Sequence, residues 1–282
     1  MKTFPGNAPL GVFDSGVGGL SVWREIARRL PHESTLYFAD QAHVPYGPRP
    51  AAEISDYAKK IVRFLSDQGA KLIVVACNTA SGAALHTLRT TFPDIPFVGM
   101  EPAVKPAAER TRSGVIGVIA TPATFQAALF QRLVERFASQ VRLETQICPG
   151  LVHAVETGAL DTPETEALLR RYLTPLLEVG IDHLVLGCTH YPFLSDAIAR
   201  IAGPGVTLVD PAPAVARQVE RLLLRRGLQA EENHTPRHIF YTSGDPDILA
   251  NMARALVGYE GPTRPVTWER LSVVARSKTG HS

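Results

Sequence analysis

Leu72-Ile-Val-Val-Ala-Cys77-Asn78-Thr79 and Leu184-Val-Leu-Gly-Cys188-Thr189-His190 decide how this chain reads. Both are short apolar runs rich in β-branched residues, the pattern of a strand buried on both faces in a parallel sheet. Both end on a cysteine followed at once by polar residues. A second echo precedes each of them in the same order, Gly11-Val-Phe-Asp14-Ser15 in the first half and Gly117-Val-Ile-Ala-Thr121 in the second. Two echoes in one order predict an α/β fold of two pseudosymmetric domains, each with a mainly parallel sheet flanked by helices.

Working outward, further strand-like runs lie at Thr35 to Ala39, Pro96 to Gly99, Arg142 to Ile147, Thr207 to Val209 and His238 to Tyr241. Helical spacing separates them, as in Val22, Ile26, Leu30, in Ile54, Tyr57, Ile61, Leu65 and in Leu168, Tyr172, Leu176. Thr162 before Pro163 suits an N-cap and first helical position, and Gly69, Gly180 and Gly227 suit helix ends. Two Pro-rich stretches, Met100-Glu-Pro-Ala-Val-Lys-Pro-Ala107 and Asp210-Pro-Ala-Pro-Ala214, read as crossings between domains. They divide the chain into residues 1–100 with 211–282 as one domain and 101–210 as the other.

Ligands of open α/β sheets sit beyond the carboxyl ends of the strands. Asp14, Ser15, Cys77, Asn78, Thr79, Thr121, Cys188, Thr189 and His190 all fall at such ends, so an active site in the interdomain cleft is expected. A helix starting just past each cysteine would offer free N–H groups and the positive end of its dipole. That setting binds a carboxylate and lowers the pKa of a nearby thiol.

The 282 residues suffice for two domains with buried cores, and 45% hydrophobic with 20% charged residues is ordinary for a globular chain. A formal charge of +2 gives no electrostatic reason to bind nucleic acid or a membrane surface, which leaves a small molecule as the expected partner. The N-terminus lacks a secretory h-region and no apolar run is long enough to span a bilayer, so a cytoplasmic protein is expected. Three cysteines with no CxxC spacing argue against disulfides and the common zinc sites.

Three chemistries could use Cys77 and Cys188. A redox pair needs sulfurs within bonding reach, which thiols on two sides of a filled cleft are not. The Cys188-Thr-His190 pair favours a metal, but two further ligands are not visible. Proton transfer needs a thiolate on one face of a carbon and a thiol on the other, and that arrangement inverts a stereocentre. His190 could take the thiol's proton or orient a substrate, and Asp14 could play the matching part for Cys77; each also has a structural reading, Asp14 as a helix cap. Cys148, before Pro149, reads as structural. Asp14-Ser-Gly16-Val-Gly18-Gly19 resembles a dinucleotide loop, but its glycine spacing is wrong and Asp14 would face the pyrophosphate. A nucleotide-dependent enzyme is therefore the lesser alternative, alongside a two-lobed solute receptor.

Four motifs taken together carry a family resemblance. Asp14-Ser15-Gly16-Val17-Gly18-Gly19-Leu20, Tyr37-Phe-Ala-Asp40 with Val44-Pro45-Tyr46-Gly47, Ala76-Cys77-Asn78-Thr79-Ala80 and Leu186-Gly187-Cys188-Thr189-His190-Tyr191-Pro192 resemble those of the bacterial glutamate racemases. The resemblance implies cofactor-independent interconversion of L- and D-glutamate, without metal or pyridoxal phosphate, for peptidoglycan synthesis, commonly by a homodimer. It implies that Cys77 removes the α-proton of the D-enantiomer and Cys188 that of the L-enantiomer, assisted by Asp14, Glu156 and His190. Ser15, Pro45, Tyr46, Gly47, Asn78, Thr79, Thr121, Thr124 and Thr189 would bind substrate. Gly150, His153, Gln41 and His43 depart from the family's usual residues, and the residues alone leave aspartate open as a substrate.

Overall fold

The computed structural model describes residues 5–269 and Leu271. Among the described residues, ten strands form two sheets in which every pairing is parallel. β1 (Leu10–Asp14), β2 (Thr35–Ala39), β3 (Leu72–Val75) and β4 (Phe97–Val98) run in the order β2-β1-β3-β4. β5 (Val115–Ala120), β6 (Arg142–Ile147), β7 (His183–Leu186) and β8 (Thr207–Val209) repeat that order as β6-β5-β7-β8. β9 (His238–Thr242) and β10 (Thr263–Pro265) come back to the first sheet beside β2, giving it six strands against four.

The two sheets share a register as well as an order. Gly11 on β1 pairs with Ile73 on β3, and Gly117 on β5 pairs with Leu184 on β7. Cys77 and Cys188 each lie four residues beyond those partners. The echoed phrases are therefore equivalent positions of equivalent sheets, which is the pseudosymmetry expected from the sequence.

The helices connecting the strands are α1 (Leu20–Arg29), α2 (Ala51–Asp67), α3 (Asn78–Thr91), α4 (Val104–Arg110), α5 (Pro122–Gln126) and α6 (Ala128–Phe137). They are followed by α7 (Leu151–Glu156), α8 (Pro163–Glu178), α9 (Ser195–Ala202), α10 (Ala212–Arg226) and α11 (Pro246–Val257). Apolar periodicity places them against the sheets. In α2, Ile54, Ala58, Ile61, Val62 and Leu65 are fully buried at helical spacing. Truncating Ile61 to Ala would cost about 2–5 kcal/mol in such a packed position. Strands β1 and β3 are buried at every residue, which is why they read as continuous apolar runs.

Local signals act as their chemistry dictates. The Thr162 side chain accepts the Thr165 N–H at 3.3 Å, and Pro163 opens α8. Gly69, Gly180 and Gly227 have positive φ just past α2, α8 and α10, where a side chain would be strained. All nine strands read from the sequence are present, with ends shifted by a residue in several. Among the described residues, β10 is the one added strand. It is a three-residue edge strand ending in Pro265, and an edge tolerates the missing N–H that argues against a strand elsewhere. Both Pro-rich crossings run into helices: α4 starts at Val104 within the first, and α10 starts at Ala212 with Pro213 in its first turn, where Asp210 accepts the Ala212 N–H at 2.8 Å. A proline at those positions has no intrahelical bond to lose. Among the described residues, no helix is long and apolar enough to cross a membrane.

Candidate active site

The carboxyl ends of both sheets meet around one small cavity. From the first sheet's side it is lined by Ser15, Pro45, Tyr46, Gly47, Cys77, Asn78 and Thr79, and from the second by Thr121, Val152, Cys188, Thr189 and His190. The space is about 10 Å³, room for about one water molecule. The two halves are therefore closed on each other, and an amino acid needs them to part. Larger hollows exist, such as one of about 660 Å³ along the two Pro-rich segments, but that one is lined by no thiol.

Cys77 ends the β3 segment and serves as the N-cap of α3, its Sγ accepting the Ala80 N–H at 3.4 Å. Cys188 sits differently. It is followed by a 3-10 turn, Tyr191–Leu194, and not by an α-helix. Pro192 has no N–H to give the Cys188 carbonyl four residues back, so Tyr191 donates to it instead, at 3.1 Å and three residues back. The helix N-terminus expected after both cysteines is thus present only after Cys77. Cys188 has a histidine in its place: His190 Nδ1 lies 3.6 Å from Cys188 Sγ, and Nε2 pairs with Glu156 Oε1 at 2.6 Å.

Asp14 and Glu156 stand behind the cavity wall and brace it. Asp14 Oδ2 accepts the N–H groups of Gly16 and Gly19 at 3.1 and 3.0 Å, and Oδ1 accepts the Thr189 hydroxyl at 3.3 Å. It staples the glycine loop and reaches across to the other half. Glu156 Oε1 accepts the Val17 N–H at 2.8 Å in addition to its bond with His190. A Cβ at Gly16 would strike the Glu156 carboxylate, and one at Gly18 would strike the His190 ring. At Gly16 and Gly18 the loop that resembles a phosphate cradle needs glycine because the opposing half packs onto it, whereas Gly19 is crowded by Asp14 and Tyr37 of its own half. Thr79, Thr121 and Thr124 form a hydroxyl triangle with edges of 2.9, 3.0 and 3.3 Å, joining the two halves, with Thr124 behind the lining residues. Both polar atoms of the Asn78 amide are buried without a partner, an orphaned donor and acceptor that a polar ligand would satisfy.

Burial, the negative charge of Asp14 and that of Cys188 push the Cys77 thiol well up, although the Ala80 N–H works the other way. Burial likewise raises the Asp14 carboxyl against the opposing pull of His190 and the Gly16 N–H. Burial alone would lower His190, but hydrogen bonds and charge from Cys188 and Glu156 outweigh it and hold the ring well above its ordinary value. The cavity is electrostatically asymmetric, with a proton favoured on Cys77 and an imidazolium beside Cys188.

All of the sequence-predicted positions gather here, either on the lining or directly behind it. Val152 is the lining residue the sequence reading missed. It precedes Glu156 by four residues on α7, so helical spacing from Glu156 could have found it. Asp40 was also missed as a participant. It lies at the end of β2, fully buried, and receives the Tyr46 hydroxyl at 2.6 Å.

Comparison with known proteins agrees with this geometry. The profile of the Asp/Glu/Hydantoin racemase family matches residues 11–219. A glutamate racemase of Roseiflexus sp. strain RS-1 is 53% identical over 88% of this chain and 92% of its own. The crystal structure of Escherichia coli glutamate racemase with L-glutamate superposes with a TM-score of 0.82 at 33% identity, covering 92% of this chain and 98% of that one. That of Francisella tularensis glutamate racemase with D-glutamate gives 0.81 at 30% identity, covering 93% and 98%. The chain belongs to the Asp/Glu/hydantoin racemase family. Within that family it falls among the glutamate racemases, and it is an isomerase.

Proposed function

We propose that this chain interconverts L- and D-glutamate by two-base proton transfer between Cys77 and Cys188, supplying D-glutamate for peptidoglycan. The observation that carries the reading is that one thiol from each sheet lines the same closed cavity. The two lobes are residues 1–100 with 211–282, and 101–210; residues 1–4, 270 and 272–282 of those ranges lie outside the described structure. The substrate class is supported by relatives solved with L-glutamate and with D-glutamate.

In the direction from L to D, Cys188 as thiolate takes the α-proton, so the Cα–H bond breaks, its electron pair stays on the substrate, and an S–H bond forms. Cys77 then gives its thiol proton to the opposite face and becomes the thiolate. The reverse direction starts from that state. An imidazolium at His190 stabilises negative charge on the Cys188 sulfur, with Glu156 holding the ring from behind. Cys77, held protonated by burial and by Asp14, suits the acid. An α-proton beside a carboxylate is far less acidic than a thiol, so the site must exclude water and stabilise the carbanion-like state. Closing of the two halves over bound substrate serves the first need, and the first-turn N–H groups of α3 with the Asn78 amide serve the second. No metal or organic cofactor takes part in these steps. The setting we expect is the cytoplasm, as a homodimer.

The test is circular dichroism of the purified protein with L- or D-glutamate, alongside Cys77→Ser and Cys188→Ser and with L-aspartate as a control. Both variants should fold and lose racemisation. In deuterated water, solvent deuterium should appear at the α-carbon of the product enantiomer. A single variant retaining wild-type turnover overturns the two-base assignment.

A further inference from the structure

We propose that Asp40 is a positioning residue for the substrate cleft, holding the Pro45–Gly47 wall closed through the Tyr46 hydroxyl; this rests on reading the cavity as the glutamate site. Asp40 touches no part of the cavity itself. It is fully buried at the carboxyl end of β2, one strand away from Asp14, and its N–H donates to the Asp14 carbonyl at 3.0 Å. A buried carboxylate persists only where donors satisfy it. Three side chains do so, two from the loop that follows β2 and one from the segment that follows β9.

The Tyr46 hydroxyl donates to Asp40 Oδ2 at 2.6 Å. His43 Nδ1 lies 2.9 Å from Oδ1, and the Ser243 hydroxyl donates to Oδ1 at 2.6 Å. Ser243 in turn accepts the Ala42 N–H at 3.0 Å. One carboxylate therefore fastens the 41–47 loop to the segment that follows β9. The Tyr46 ring is itself buried, and burial with the adjacent Asp40 charge keeps its hydroxyl protonated and able to donate.

The loop matters because of what it meets. Pro45, Tyr46 and Gly47 form one side of the cavity, and a Cβ at Gly47 would lie 3.0 Å from Thr121 Cβ on the other half. Position of the loop thus sets both the shape of the cleft and how closely the halves approach at Thr121. A charge-assisted bond to Tyr46 is strong enough and short enough to choose that position. The anchor lies outside the site, so cleft shape depends on a carboxylate that does not line the cavity.

The experiment compares KM and kcat of the wild type, Asp40→Asn, Tyr46→Phe and the double variant by circular dichroism with both glutamate enantiomers. Asparagine keeps the size of Asp40 and removes its charge; phenylalanine keeps the Tyr46 ring and removes only the hydroxyl. Each single variant should raise KM about tenfold while kcat changes less than about threefold, the signature of lost binding in ground and transition states alike. The double variant should show no more than the larger single effect, because both changes cut one link. A merely structural role would lower the active fraction, and so the apparent kcat, at unchanged KM. Unchanged KM in Asp40→Asn, or a double variant whose KM rises by the product of the two, overturns the proposal. Should Asp40→Asn not fold, Tyr46→Phe decides alone, and an unchanged KM there overturns it. A wild type inactive on glutamate is a different outcome, one that sinks the underlying reading instead.

Discussion

Replacing Glu156 with glutamine removes one charge from the Glu156–His190–Cys188 chain and leaves its shape intact. Glu156 Oε1 is 2.6 Å from His190 Nε2, and both side chains are nearly buried, at 10% and 2% exposure. A hydrogen bond involving a charged group is worth about 1.5–3 kcal/mol. If that support is felt in the transition state, kcat/KM falls about ten- to hundredfold. The two substrates are mirror images with equal free energies, so kcat/KM must fall equally in the two directions, and only kcat and KM taken separately can differ. Circular dichroism from each enantiomer, over a range of pH, measures all of this. Glu156 helps raise His190 above its ordinary value of 6.5, so its loss should move deprotonation of the ring, and the alkaline limb of the rate profile, to lower pH. Stability follows the same sign. The contribution of His190 is complete below its unfolded value and is lost as pH rises through the higher folded value, and Glu156→Gln should flatten that loss. A variant within about twofold of wild type in kcat/KM, with the alkaline limb unmoved, would refute the argument.

Two further expectations concern packing and charge. Gly18→Ala would drive a methyl into the His190 ring and to 2.7 Å from Thr189 Oγ1. Overpacking of this kind costs about 1–3 kcal/mol, and a displacement of about 1 Å at the chemistry costs about a hundredfold in rate; wild-type activity in this variant would show that the halves do not close as described. Lys71 pairs with Glu33 at 2.6 Å, with both side chains buried at the end of β3 away from Cys77. Lys71→Met should lower stability by about 3–5 kcal/mol, because it strands a buried carboxylate, while kcat stays at the wild-type value. Calorimetry checks the loss, and partial recovery in the Lys71→Met, Glu33→Gln double variant checks its cause.

Much of the site was legible in the chain because the signals are local. Leu72-Ile-Val-Val-Ala and Leu184-Val-Leu-Gly read as buried strands from their own composition, and each cysteine's place at a strand end follows by counting. Glu156 was available only through resemblance to known racemases, since nothing in Ala154-Val155-Glu156 distinguishes it from an exposed helix end. β10 stayed hidden because three residues ending in proline carry too little pattern. The 3-10 turn after Cys188 was written in Pro192, but its consequence emerges only when one asks which carbonyl that proline fails to reach.

Periodicity, turn chemistry and repeated phrases thus determined the elements, their order and the pairing of two thiols with two sheets, because each depends on neighbours a few residues away. Only the tertiary structure decided that Glu156 would reach Val17 and His190, that Asp14 would brace Thr189, and that the space between the thiols would close to about 10 Å³. Those contacts join residues up to 175 positions apart. They exist because two sheets pack at one angle and distance, a quantity that no local stretch of chain encodes.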